Sequence, residues 1–245
     1  MSRFLAVTGL ALRELWISYR LLLIVGVLLL AALPAAVLGG VIPGADDPLA
    51  AADQRIQLFA VGLAAGLALA AGVAAGTVAT ERQRGTAGWL VTRAVPRGTI
   101  VTGWFAAFAV VLVLGIGPAA ALTWLSLGQL AGTVDPLAFA TSVVAALGVG
   151  LAAVALGLLL GSMFGTRAAM LASGILTAAV LLPATSLAVP FLVTAPAPGA
   201  PFAILADLAD AVRPVAESTR TGGAALAASA ALLLLASAVM ARADL

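Results

Sequence analysis

Residues 79–104, ATERQRGTAGWLVTRAVPRGTIVTGW, carry four of the twelve arginines of this 245-residue chain. Glu81, Arg82 and Arg84 come first. Gly85 and Thr86 then offer a turn and a helix cap. Residues 86–94 read as a short helix bearing Trp89, Leu90 and Val91, which Pro96 stops just before Arg97. The chemistry of such a segment is docking. Charged and apolar side chains on a short stiff helix can hold a partner and pass its push into both flanking segments. The plainer role for the same arginines is to anchor topology.

Covalent chemistry is closed off by what is missing. The chain has no Cys and no His. Thiolate nucleophiles, disulfides, imidazole metal ligands and Ser-His triads are therefore absent. All twelve basic residues are arginine, so there is no Lys for a Walker A loop and none for a Schiff base. This reads as a chain that is not an enzyme, with no cofactor of its own. Energised work would need a separate ATPase subunit holding ATP and magnesium.

The elements that must position residues 79–104 are apolar helices. Hydrophobic residues make up 63% of the chain and charged residues 9%, against roughly 25% charged in a soluble domain. Lipid is the solvent this composition fits. The expected fold is all-α and polytopic, with six spans at about 21–41, 57–79, 100–127, 137–163, 168–193 and 222–241. Each exceeds the roughly 18 residues that mark a spanning helix. The 80–99 loop joins the second span to the third. Residues 1–20 form a separate amphipathic helix, with Arg3, Arg13, Glu14 and Arg20 on one arc and Phe4, Leu5, Leu12, Leu15, Trp16 and Tyr19 opposite. That pattern suits a helix lying in the membrane interface. It also argues against a cleaved signal peptide. A second amphipathic helix is expected at 201–213, on the outer side before the last span.

The arginines orient the spans. With both termini in the cytoplasm, nine lie inside (Arg3, Arg13, Arg20, Arg82, Arg84, Arg93, Arg97, Arg167 and Arg242). Three lie outside: Arg55, Arg213 and Arg220. The reverse orientation inverts the bias. The expected location is therefore a bacterial inner or plasma membrane, crossed several times.

Four secondary readings complete the inventory. No ionisable residue falls clearly within a span core, which disfavours proton or sodium coupling. Thr77, Thr123, Ser126, Thr141, Ser142, Ser173 and Thr177 are candidate pathway hydroxyls, each weighed against bonding back to its own helix. Gly62/Gly66, Gly72/Gly76, Gly157/Gly161 and Gly161/Gly165 are small-xxx-small pairs, expected to serve ordinary packing. Trp16, Tyr19, Trp89, Trp104 and Trp124 are expected to anchor span ends in the interface.

The 79–104 segment resembles the signature of the type-2 permease family of ATP-binding-cassette transporters. That family has a Glu-Arg, Gly-Thr and Pro-Arg pattern between its second and third spans. Glu81, Arg84, Gly85, Thr86, Pro96 and Arg97 match it in place. Ala87 stands where the family often has an acid, and Trp104 where it often has Lys. The resemblance implies a half-transporter: two alike or homologous permease subunits, and two ATPase subunits bound at residues 81–97. It implies export of a small molecule, lipid or peptide, with no nucleic acid as partner. Two other readings stay open, a permease of a cofactor-maturation system and a non-transporting membrane scaffold.

Overall fold

The computed structural model describes residues 3–33, 48–84, 95–128, 135–181 and 215–242. Seven helices account for nearly all of them. They are α1 (Arg3–Ile17), α2 (Arg20–Leu30), α3 (Pro48–Gln83), α4 (Arg97–Leu127), α5 (Pro136–Met163), α6 (Thr166–Leu181) and α7 (Val215–Arg242). Among the described residues there is no strand. Four helical segments are long and apolar enough to cross a membrane: Arg55–Gln83, Gly98–Leu127, Pro136–Met163 and Ser218–Arg242. α2 and α6 are shorter apolar helices. The architecture is that of a polytopic helical membrane protein. Residues 34–41 and 182–193, the far parts of the expected first and fifth spans, lie outside the described residues, as does the expected outer helix at 201–213.

Local sequence sets several helix ends. Asp135 caps α5, its Oδ1 accepting from the Leu137 N–H at 3.0 Å, with Pro136 in the first turn. Pro96 occupies the cap position of α4 in an extended conformation. Between α1 and α2 the chain turns at Tyr19, whose φ of 58° is the only positive value at a non-glycine residue among those described. A left-handed conformation at a residue with a Cβ costs about 1–2 kcal/mol, and the packing of α1 and α2 against α4 must offset it.

α3 is the central helix. It packs against α2, α4, α5 and α6, and 72% of its most apolar window is buried. The corresponding figure for α7, which leans mainly on α5, is 17%. Phe59, Leu63, Leu67, Phe108, Leu112 and Leu158 are fully buried in the main core. Small residues bring the backbones together. A Cβ on Gly157 would strike the Ala71 carbonyl, and one on Gly161 the Ala75 carbonyl. These glycines let α5 lie directly on the backbone of α3. Gly62, Gly66, Gly72 and Gly76 likewise face Ala31, Leu28 and Met170 of the same chain. The small-residue pairs thus serve packing within the subunit.

Consecutive long helices run in opposite directions. Arg20 and Gly98 at the starts of α2 and α4 lie near Thr77 and Ser237, late in α3 and α7. At the opposite end, Arg55 of α3 reaches Ser126 of α4, and Ser142 of α5 meets Ser218 of α7. Of the ten arginines among the described residues, eight belong to the first end: Arg3, Arg13, Arg20, Arg82, Arg84, Arg97, Arg167 and Arg242. Two, Arg55 and Arg220, belong to the other.

Two expectations need correction. The helix of the second span extends ahead of the expected bounds of about 57–79. α3 starts at Pro48, so Arg55 lies inside the helix and is 6% exposed, its Nη1 donating to the Ser126 carbonyl. The last carbonyls of α4 have no partner within their own helix, and a guanidinium satisfies one of them. Nor is Trp104 an interfacial anchor. It is 6% exposed, with its ring centroid 6.4 Å from that of Phe108. Trp124 packs on Phe139 at 5.2 Å, whereas Trp16 and Tyr19 are exposed.

Candidate functional site

The last turns of α3 carry a polar cluster at the arginine-rich end. Thr77, Thr80, Glu81, Arg82 and Gln83 stand in a helix otherwise made of Ala, Gly and Val there. Four of them find partners on three neighbouring helices. Arg20, at the start of α2, donates from Nη1 to Thr77 Oγ1 at 2.9 Å, and Thr77 donates to the Val73 carbonyl at 2.7 Å. Arg82 Nη1 donates to the Gly161 carbonyl at 3.2 Å. Gly161 is in the final turn of α5, where unpaired carbonyls concentrate negative charge and favour a cation. Thr166, at the start of α6, donates to Gln83 Oε1 at 2.9 Å and lies 3.4 Å from the Thr80 hydroxyl. Beneath these bonds Ala75 and Ala79 pack on Ala169 of α6. The end of α3 is thus tied to α2, α5 and α6 within about two turns.

The site residues expected from sequence fall along this end. Glu81 and Arg82 are half-buried in the final turn of α3. Arg84 follows, exposed, its N–H donating to the Thr80 carbonyl at 2.9 Å. Gly85, Thr86, Trp89 and Leu90 lie outside the described residues. Pro96 is exposed, and its carbonyl accepts from the Thr99 N–H at 2.9 Å. Arg97 is the first residue of α4. The two anchors of the 85–94 segment are therefore the last turn of α3 and the first turn of α4. From the last turns of α3, bonds run to α2 through Thr77, to α5 through Arg82 and to α6 through Thr80 and Gln83.

Thr166 was not singled out from sequence. Arg20 was placed on the polar arc of the first helix and Gly161 in two small-residue pairs, and neither reading pointed to a bond with α3. A shallow, open cavity of about 530 Å³ lies beside the cluster, lined by Thr80, Gln83, Gly165, Thr166, Arg167 and Ala168. Among the described residues no group of three or more Asp, Glu, His or Cys could hold a metal.

The candidate hydroxyls divide cleanly. Thr77, Thr123, Ser126, Thr141 and Ser142 each donate to a carbonyl three or four residues earlier, the usual fate of such groups in an apolar helix. Ser173 and Thr177 of α6 do not: both are buried, and neither hydroxyl has a hydrogen-bond partner among the described residues.

No family model matches the chain, and no curated protein matches it. The resemblance to type-2 permeases therefore rests on residues 81–97 and on the layout of the helices.

Proposed function

We propose that this chain is the membrane-spanning permease subunit of an ATP-driven exporter of the ATP-binding-cassette type-2 class. It couples to a separate ATPase subunit through residues 80–99. The observation that carries the reading is the bonding at the end of α3. The segment matching the family pattern leaves a helix whose last turns are fixed by Arg20, Arg82 and Thr166 to three other helices. A surface anchor that only set topology would need none of those bonds. A loop that transmits force needs all of them.

In this reading the arginine-rich end faces the cytoplasm, as the eight-to-two division of described arginines favours. ATP and magnesium sit on two ATPase subunits, and the chain supplies no catalytic group. Two permease subunits, identical or homologous, frame the pathway in a bacterial inner or plasma membrane. The exported substrate is a small molecule, lipid or peptide.

The test is co-purification. The tagged chain, co-expressed with a candidate soluble ATPase that carries a Walker A motif, should retain that protein in detergent. Charge reversal at Arg84 and Arg97 together should release it. No retention by the wild-type chain, or equal retention by the reversed one, would overturn the proposal. Retention without any change in ATP hydrolysis would favour a scaffold.

A further inference from the structure

Exposed apolar side chains are ordinary along a span, where lipid covers them. Met163 and Phe164 are exposed at another level. Met163 ends α5, and Phe164 is one of two residues that join it to α6. They are 52% and 46% exposed. α5 has 28 residues, about 42 Å of helix against a hydrocarbon core of roughly 30 Å. The Gly161 carbonyl, just before the pair, takes Arg82, and Arg167 follows just after it. The pair therefore sits level with the arginines, at the edge of the hydrocarbon.

The turn is held in shape and joined to α3. The Phe164 N–H donates to the Leu160 carbonyl at 2.9 Å, and the Ala169 N–H to the Gly165 carbonyl at 2.9 Å. Thr166 donates to Gln83, the residue before Arg84. The patch is thus pre-organised and continuous with the helix end from which residues 85–94 leave. Its chemistry narrows the occupant. Side chains that anchor in the lipid interface are chiefly Trp and Tyr, whose polar tips stay wet, and this pair has no such tip. Phe, Met and Arg are the types enriched where proteins meet. Arg84 and Arg167 are exposed, and neither guanidinium is paired among the described residues. Among the described residues at this end no Asp or Glu is exposed. The complementary surface is apolar at its centre and acidic at its edge.

We propose that the α5–α6 turn is a second contact for the ATPase subunit, beside the 80–99 segment. Met163 and Phe164 enter an apolar recess of that subunit, and Arg167 pairs with one of its carboxylates. This inference rests on the permease reading and adds a surface to it.

The test co-expresses the full chain with a candidate soluble ATPase that carries a Walker A motif. The photocrosslinker p-benzoylphenylalanine is placed in turn at Arg84, Phe164 and Leu171, the last 64% exposed and deeper in α6. Arg84 and Phe164 should each crosslink to the ATPase, and Leu171 only to lipid. An ATPase crosslink from Arg84 with lipid adducts alone from Phe164 would overturn this inference and leave the permease reading standing. No retention of the ATPase by the wild-type chain would overturn both. In nanodiscs, Phe164→Ala should keep the wild-type unfolding midpoint and weaken ATPase binding roughly five- to thirtyfold, the range for truncating an aromatic anchor. Unchanged affinity would overturn the second contact.

Discussion

Arg55 and Arg82 stand near opposite ends of α3, and each donates to a carbonyl in the last turn of a neighbouring helix. Arg55 meets Ser126 of α4, and Arg82 meets Gly161 of α5. Their surroundings differ. Arg55 is almost fully buried beside Ile56 and Phe59, in the main core. Arg82 is half-buried, near the shallow open cavity lined by Thr80, Gln83 and Thr166. The same interaction therefore sits in two settings. Enclosed, it fixes the bundle. At the open end, in the proposed reading, it would join the bundle to the coupling segment.

That contrast makes graded predictions. The largest loss of stability belongs to the enclosed end. Arg55→Ala leaves the end of α4 without its cation and should cost about 2–3 kcal/mol, read as a lowered midpoint of thermal unfolding in detergent. Gly161→Ala should cost about 1–3 kcal/mol by forcing a Cβ against the Ala75 carbonyl. It should also weaken the Arg82 bond, because α5 must shift. Arg82→Ala should cost only about 1 kcal/mol of stability. Its stimulation of the partner ATPase should nevertheless fall by more than that of Arg55→Lys, which retains the cation. A loss of stability at Arg82 equal to that at Arg55 would dissolve the distinction. Thr166→Val, which breaks the bond to Gln83, is the mildest at about 0.6 kcal/mol, with a partial loss of stimulation in a reconstituted assay.

The positions of the long helices were legible because uninterrupted apolar runs announce them. α4 and α5 begin and end within about three residues of the expected spans. The start of α3 was not legible, because a charge reads as a boundary in sequence. One carbonyl that receives Arg55 inside the helix belongs to the end of α4, a packing partner 71 residues away. Trp104 was misplaced for a related reason. Proximity to a span end does not reveal that the ring faces Phe108 rather than lipid.

The candidate site divided in the same way. Glu81, Arg82, Arg84, Pro96 and Arg97 were named as candidates from local pattern. The bonding partners of Arg82 and Gln83, Gly161 and Thr166, are 79 and 83 residues away. Nothing local marks a glycine whose carbonyl takes an arginine. The hydroxyls show the limit most sharply. Thr141 and Thr177 look alike in sequence, yet one hydroxyl bonds back to Leu137 and the other is buried with no partner among the described residues.

The most direct test of the central claim is ATP hydrolysis by the partner ATPase, reconstituted with this chain in lipid nanodiscs, wild type against Glu81→Arg. The account predicts that the wild-type chain changes the hydrolysis rate severalfold and that Glu81→Arg inserts normally but returns the rate to that of the ATPase alone. An ATPase indifferent to the wild-type chain, or equally responsive to both, would contradict it.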